Sequence, residues 1–305
     1  MRQQNNTCDF KTSDSWVILS PIEQSIKRKI EAVGTPLKDW DIQINYGIKT
    51  GYNEAFIITT EKRNEILDNC LTEDERKRTE ELIRPILRGR DIKRYGYNWA
   101  GLYLIATFPS RHYDIEEYPA VKQHLLSFGM ERLEQTGKKY TINGQQVTAR
   151  KKTNNKWFET QDSISYWEDF YKPKIVYGQF QDGAEYSFAG SGIFLSSNEY
   201  LLITHNYSSK CLLAFLNCKT SEWLLGNITG NLGDNAKIGQ KSNFLKLSVA
   251  QLDKNDQQRF DQIVDLILNY KKTKQDTTQL EKQIDNMIYA VYKLSVDEIH
   301  EIERC

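Results

Sequence analysis

Asn45-Tyr46-Gly47-Ile48-Lys49-Thr50-Gly51-Tyr52-Asn53-Glu54-Ala55-Phe56-Ile57-Ile58 is the stretch from which the fold is read. Just before it, Asp41 to Tyr46 alternates polar and apolar residues, the pattern of a half-buried strand. Ala55 to Ile58 is nearly continuous in apolar residues and predicts a more buried strand. Gly47 and Gly51 bracket a tight turn between the two, with Lys49 and Thr50 at its tip. The main-chain amides of such a turn suit a phosphate; alternatively, the glycines serve the turn alone.

Working outward, Ser20-Pro21-Ile22-Glu23 has the residues of a helix start, with a serine cap, proline at the first position and glutamate three after the cap. Ile22, Ile26 and Ile30 give that helix one apolar face, and Gly34 and Pro36 end it. Thr72-Glu73-Asp74-Glu75 opens a charged helix that Pro85 should stop. Leu102 to Ile105 reads as a strand and Tyr118 to Gln135 as a helix. Asn143-Gly144 marks a hairpin turn. Strands are expected at Lys174–Tyr177, Gly192–Leu195 and Tyr200–Thr204, and a buried helix from Lys210 to Leu225 before a Gly/Asn loop at 226–239. Beyond Leu252, Phe260, Ile263, Val264 and Ile267, then Leu280, Ile284, Met287, Ile288 and Val291, follow helical spacing. Ser295 caps a last short helix. The expectation is an α+β fold with a mixed sheet, divided into a tail or linker at 1–15, a body at 16–252 and a C-terminal helical region at 253–305.

The chain has 305 residues, with 41 Lys plus Arg against 41 Asp plus Glu. A globally basic nucleic-acid binder is thereby excluded, but a locally basic face is not. Five cysteines without CxxC spacing give no disulfide framework or zinc site, and the four histidines are dispersed, so no metal site is expected. No apolar run is long enough to span a membrane, and the N-terminus has no signal-peptide pattern. A cytoplasmic location is expected.

Catalytic patterns fail on inspection. Phe188-Ala189-Gly190-Ser191-Gly192 matches the FxGxG loop of adenine methyltransferases, but strand-like residues follow where a helix is needed, and no NPPY tetrapeptide exists. Gly233 to Ser242 imitates a phosphate loop with the wrong glycine spacing. No paired-acid nuclease pattern and no GxSxG elbow stands out. No catalytic residue is assigned.

Two basic clusters remain. Residues 137–158 contain Lys138, Lys139, Arg150, Lys151, Lys152 and Lys156 without one Asp or Glu. Residues 84–97 contain Arg84, Arg88, Arg90, Lys93 and Arg94 against Asp91 alone. Tyr and Trp are interleaved, and Asn143, Gln145, Gln146 and Asn154 add amides to the first cluster. Cations that anchor phosphates beside amides that read base edges fit nucleic acid; a solvated charged face is the plain alternative.

Several strings then carry a resemblance. The opening stretch is similar to the "GIKTGxNxAF" segment of the TaqI-like C-terminal specificity domain, found in type IIG restriction–modification enzymes and related N6-adenine DNA methyltransferases. Ile86 to Ile92 resembles the "LRGRDI" block and Lys172 to Tyr177 the "KPKIVY" strand. Leu212 to Asn217 resembles the "LLAxLNS" helix, with Cys218 where serine is usual. Leu280 to Ile299 resembles the helical terminus of the family. The blocks keep family order over residues 16 to 303; Leu245 to Val249 departs from the family's proline-containing stretch.

The resemblance implies a target-recognition domain for duplex DNA. Its methyltransferase or nuclease partner would lie in cis or in trans. S-adenosylmethionine, and magnesium for cleavage, would be needed only by that catalytic part. On this reading Lys49, Thr50, Arg88, Arg90, Lys93, Lys138, Lys139, Asn143, Gln145, Gln146, Arg150, Lys151, Lys152, Asn154, Lys156, Lys237 and Lys241 are the candidate DNA contacts. Two other readings stay open: a nuclease with dispersed carboxylates, and a protein-docking module for a methyltransferase with little DNA affinity of its own.

Overall fold

The computed structural model describes residues 19–179, 183–229 and 241–304. Helix α1 (Pro21–Val33) starts as its sequence requires: Ser20 accepts from the Glu23 amide while the Glu23 carboxylate accepts from the Ser20 amide. Strand β1 (Gly34–Pro36) and strand β2 (Ile42–Tyr46) follow. The expected strand at Ala55 begins instead as a helical turn, α2 (Asn53–Phe56), and only then becomes β3 (Ile57–Thr59). Helices α3 (Thr60–Asp68) and α4 (Glu73–Leu82) lead into β4 (Ile83–Leu87). Pro85 therefore lies inside a strand, just before the neighbour on one side begins to pair at Ile86.

Short strands β5 (Ile92–Lys93) and β6 (Gly96–Tyr97) form a ribbon, and β7 (Leu102–Ile105) follows. The helix expected from Tyr118 to Gln135 is two pieces, α5 (Pro119–Leu126) and α6 (Met130–Leu133), broken at Gly129 with φ +85°. Next come β8 (Lys139–Ile142), β9 (Gln145–Thr148), β10 (Lys174–Gly178), β11 (Tyr186–Ala189), β12 (Phe194–Leu195) and β13 (Glu199–Thr204). The buried helix divides at Cys218 into α7 (Ser209–Asn217) and α8 (Lys219–Thr229), so the Gly/Asn segment is still helical through Thr229. Helix α9 (Lys241–Phe244) ends just before the stretch that departs from the family pattern, Leu245 to Val249, which runs into strand β14 (Ser248–Ala250); β14 pairs antiparallel with β1. Helices α10 (Lys254–Lys272), α11 (Thr278–Val291) and α12 (Val296–Glu303) end the chain.

The arrangement is α+β with mixed sheets. One sheet, β11-β10-β13-β2, is antiparallel throughout. The second, β12-β4-β7-β3, pairs β12 parallel to β4 and is otherwise antiparallel. The first sheet is a wall between two cores. Ile44, Ile175, Tyr177, Tyr186, Tyr200 and Leu202 face a core built with α1, α7, α8 and the C-terminal helices. Val176, Ala189, Leu201 and Ile203 face the other, shared with the second sheet and α5. The twofold side-chain alternation of a strand produces this division.

Because both faces are covered, β10 is buried along its whole length. Two buried ionisable groups sit at opposite ends of the β10–β13 pair. Lys174 opens β10 and donates to the carbonyls of Phe170 (2.7 Å), Lys172 (3.1 Å) and Gly190 (3.0 Å). Glu199, opposite Gly178, accepts from the Gly89 amide at 2.7 Å and from the Ser196 hydroxyl.

The C-terminal acids attach to the body. Glu298 pairs with Lys29 of α1 (2.6 Å), Glu281 with Arg94 (2.6 Å) and Asp265 with Lys210 (2.7 Å), while Asp285 accepts from the Lys219 amide (2.9 Å). Ile263, Ile267, Ile284, Ile288 and Ile302 join the same core as Ile26, Ile30 and Leu212. That core continues across residue 252.

Candidate nucleic-acid interface

The basic segment at 137–158 is a hairpin standing on a buried root. Strands β8 and β9 pair from Lys139↔Thr148 to Ile142↔Gln145. The two connecting residues, Asn143 (φ +49°) and Gly144 (φ +79°), both occupy the left-handed region, as a tight two-residue hairpin turn requires. Lys138, Lys139, Asn143, Gln145, Gln146, Lys151, Lys152, Asn154 and Lys156 are all exposed. Among the described residues none of these lysines is in an ion pair. The segment is thus an amide-bearing ribbon with free ammonium groups at its base.

Arg150 corrects the sequence reading. Its side chain is buried rather than presented to a ligand. The guanidinium donates to the carbonyls of Leu133 (2.8 Å), Thr50 (2.9 Å), Glu159 (2.7 Å) and Trp157 (2.5 Å) and lies over the Phe56 ring at 5.0 Å. Burial pulls its pKa down to about 10, against the smaller opposing effect of Glu159, and it stays cationic at neutral pH. Three segments that do not adjoin in sequence, at Thr50, Leu133 and Trp157 to Glu159, thereby share one donor group. The physical reason is local: the carbonyls converge, and only a planar, multiply donating cation satisfies them together.

Thr50 is likewise buried; its hydroxyl donates to Asn53 Oδ1 (2.7 Å) and accepts from the Tyr52 amide (3.1 Å). Its carbonyl is the Arg150 acceptor, so its role is to hold the turn. Gly51 has φ +79°, and a Cβ there would lie 3.0 Å from Arg150 Cδ, which explains the glycine. Lys49 is exposed, and its carbonyl accepts from the amides of Gln161 (3.1 Å) and Asp162 (3.3 Å). Arg150 therefore brings the Lys49 turn and the hairpin root together.

The 84–97 cluster separates into different roles. Arg88 makes a two-pronged pair with Asp91, at 3.0 Å and 2.8 Å, so its charge is engaged within the chain. The pairing depresses the Asp91 carboxyl, against the opposing effect of its burial. Arg90 is exposed. Arg88 and Arg90 flank a cleft of about 400 Å³ that also touches Asn53, Gln179 and Asn198. Lys93 pairs with Glu185 at 3.3 Å, and its neighbour Arg94 with Glu281, so this end of the cluster faces the C-terminal helices. Lys241 is partly buried, donates to the Ile44 carbonyl (3.1 Å) and lies 5.9 Å from the Tyr46 ring centre. Lys237 lies outside the described residues.

Sequence reasoning missed a polar knot beneath the turn. Gln43 and Asn45 both donate to Asp169, at 2.8 Å and 2.7 Å, and Lys172 pairs with the same carboxylate at 2.7 Å. The outward residues of β2 gave the only signal. The methyltransferase-like string at Phe188 does not fit S-adenosylmethionine: β11 ends at Ala189, the chain turns through Gly192 (φ +79°), and a strand follows instead of a helix start. Among the described residues no group of three or more His, Cys, Asp or Glu lies together to hold a metal, and no helix is long and apolar enough to cross a membrane.

No curated protein matches the chain significantly. Solved structures do share its fold. The type IIL restriction–modification enzyme MmeI, solved in complex with DNA, superposes with a TM-score of 0.57 at 13% identity over 88% of this chain. The type IIG restriction endonuclease BpuSI gives a TM-score of 0.51 at 12% identity over 89%. The present chain spans 35% and 32% of those two chains. The family model of the TaqI-like C-terminal specificity domain matches residues 84–254, more than half of the chain, from the basic cluster before Gly89 to the start of α10. The chain belongs to the TaqI-like C-terminal specificity domain family.

Proposed function

We propose that this chain binds duplex DNA and selects a short base sequence for a catalytic part that acts on it. The observation that carries the reading is the exposed, acid-free hairpin with its row of lysines and amides, fixed to the Lys49 turn through Arg150. Lysine ammonium groups at the hairpin base neutralise phosphates, and Asn143, Gln145, Gln146 and Asn154 offer the paired donor and acceptor that a base edge needs. Lys49 and Arg90 add phosphate contacts beside it. The Arg88–Arg90 cleft offers a second surface on which a strand can rest.

Specificity domains of this family serve adenine methyltransferase or restriction endonuclease parts. We place that part in cis or in trans, with S-adenosylmethionine and magnesium belonging to it, and the working location in the cytoplasm. Such a partner would flip its target base out of the duplex. This chain's own work would be to grip and orient. The docking-module alternative has less support, because most apolar residues of α10, α11 and α12 pack into the chain's own core, leaving only Leu266, Tyr270 and Val296 as exposed large apolar residues on α10 and α12.

The test is selection from a randomised duplex pool at low and at physiological salt, followed by sequencing. Enrichment of a motif of a few base pairs supports the reading. Loss of all retention at both salts overturns it.

A further inference from the structure

A second cationic site lies away from the hairpin. Arg84 of β4 and Arg111 hold their guanidinium groups against aromatic rings: Arg84 is 5.2 Å from the Tyr171 ring centre and donates to its hydroxyl at 3.2 Å, and Arg111 is 3.9 Å from that of Trp167. Arg78, at the exposed end of the same hollow, donates to the Glu117 carbonyl at 3.2 Å. Glu81 also lines the hollow, yet none of the three arginines is within ion-pairing distance of a carboxylate among the described residues. The hollow measures about 180 Å³, and Phe194 closes its floor, itself packed against Tyr171 at 5.7 Å.

Three guanidinium groups around one hollow, against the single carboxylate of Glu81 that pairs with none of them, favour an anion, and a guanidinium presents the fork that a phosphate oxygen pair fits. The aromatic rings hold Arg84 and Arg111 in place before a ligand arrives, which lowers the ordering cost of binding. Trp167 and Tyr171 also offer surfaces for a sugar or base beside the phosphate. The volume is below the roughly 300–1,000 Å³ of sites that enclose a whole small molecule. One phosphate and its immediate neighbour fit, with the rest of the ligand continuing outside.

We propose that Arg78, Arg84 and Arg111, with Trp167 and Tyr171, form a nucleotide-phosphate site whose occupant is a phosphodiester of a DNA strand. The second part rests on the DNA-recognition reading. The backbone links the two surfaces: Asp162 is hydrogen-bonded to Lys49, and Trp167 is five residues further on. At no more than about 3.5 Å per residue, that connection spans at most about 18 Å. Phosphates of one strand rise about 3.4 Å each along the duplex axis, so at most about five separate the ends of such a span.

The experiment follows Trp167 emission, obtained as the difference between the full-length protein and Trp167→Phe, during titration with a 20-base-pair duplex and, separately, with a deoxynucleoside monophosphate. The same duplex is bound by the wild type and by Arg84→Gln/Arg111→Gln over a salt series. A Trp167 response to duplex is expected, with the salt slope of binding reduced by about 1.8 in the double variant, two contacts at about 0.9 each. Duplex binding with an unchanged slope and a silent Trp167 overturns this proposal and leaves the recognition reading intact. A response to the mononucleotide without duplex binding supports the phosphate site and overturns the recognition reading. Silence toward both ligands overturns the site itself. If the double variant does not fold, Arg111→Gln alone carries the test, since its side chain is exposed; the slope then falls by about 0.9.

Discussion

Replacing Arg150 with methionine separates a buttress from a base reader. The change keeps most of the side-chain volume and removes four hydrogen bonds to the carbonyls of Thr50, Leu133, Trp157 and Glu159. At about 1.5 kcal/mol for each charge-assisted bond, the loss is about 6 kcal/mol. Removing a desolvated cation returns part of it: a pKa drawn from 12.5 to about 10 corresponds to about 3 kcal/mol of unfavourable burial. The net destabilisation is about 3 kcal/mol, which for a chain of this size lowers the melting temperature by roughly 5 °C. Urea unfolding followed by far-ultraviolet circular dichroism measures the first quantity. Duplex binding over a salt series measures the second consequence. Affinity should fall because the Lys49 turn and the hairpin root lose their common anchor, while the salt slope stays the same because no phosphate contact is removed. Wild-type stability together with a slope reduced by about 0.9 would refute the reasoning and put the guanidinium on DNA.

Lys151→Gln/Lys152→Gln should do the reverse, leaving stability within about 0.5 kcal/mol and reducing the salt slope by about 1.8 if both ammonium groups contact phosphates. Gly47→Ala should destabilise by at least about 3 kcal/mol, seen as loss of soluble, cooperatively melting protein, because the new Cβ would lie 1.7 Å from the Ser196 carbonyl oxygen. Glu298→Gln tests the α1–α12 join: burial pushes the Glu298 carboxyl up, but the hydrogen bonds from Lys29, the Ser295 amide and Ser25, with the Lys29 charge, prevail and hold it at about 2, against 4.5 when unfolded. The resulting stabilisation, about 2 kcal/mol after allowing for solvent around the partly exposed Lys29, is complete above about pH 4.5 and is lost as the pH falls toward 2. Wild type and variant should accordingly converge in acid unfolding; a pH-independent difference would contradict the assignment.

Local chemistry was the legible part of this sequence. Ser20, Ser295 and Asn143-Gly144 determine their structures through neighbours within three residues, and each forms the cap or turn its pattern predicts. Tertiary contacts were hidden. Gly47 reads as a turn residue, whereas its need for no side chain comes from Ser196, far along the chain. Arg150 is chemically indistinguishable from its lysine neighbours until the four converging carbonyls are seen. Arg88 likewise reads as a free cation until its fork closes on Asp91. The division of α7 from α8 at Cys218 did leave a mark, the polar run Lys219-Thr220-Ser221-Glu222 between two apolar stretches, but an amphipathic helix carries such a run as readily as a break does. The arginine hollow draws on residues from 78 to 194, and no window on the sequence contains it.

The wall strand β10 poses a problem of alignment. A strand polar on one face cannot slide by one residue, since the slip would bury its polar set; β10 has apolar residues on both faces and lacks that safeguard. Lys174 and Glu199 replace it. Shifting β10 against β11 and β13 would pull the Lys174 ammonium from the Phe170 and Gly190 carbonyls, and shifting β13 would take the Glu199 carboxylate from the Gly89 amide. Either error leaves a buried polar head group without its partners at a cost of about 1–3 kcal/mol. Burial already pulls the Lys174 pKa down to about 7 and pushes the Glu199 carboxyl up, so each would shed its charge rather than keep it unpaired. The two buried head groups thus work as dowels: they contribute little to the strength of the wall, but they make a misaligned assembly too unfavourable to persist.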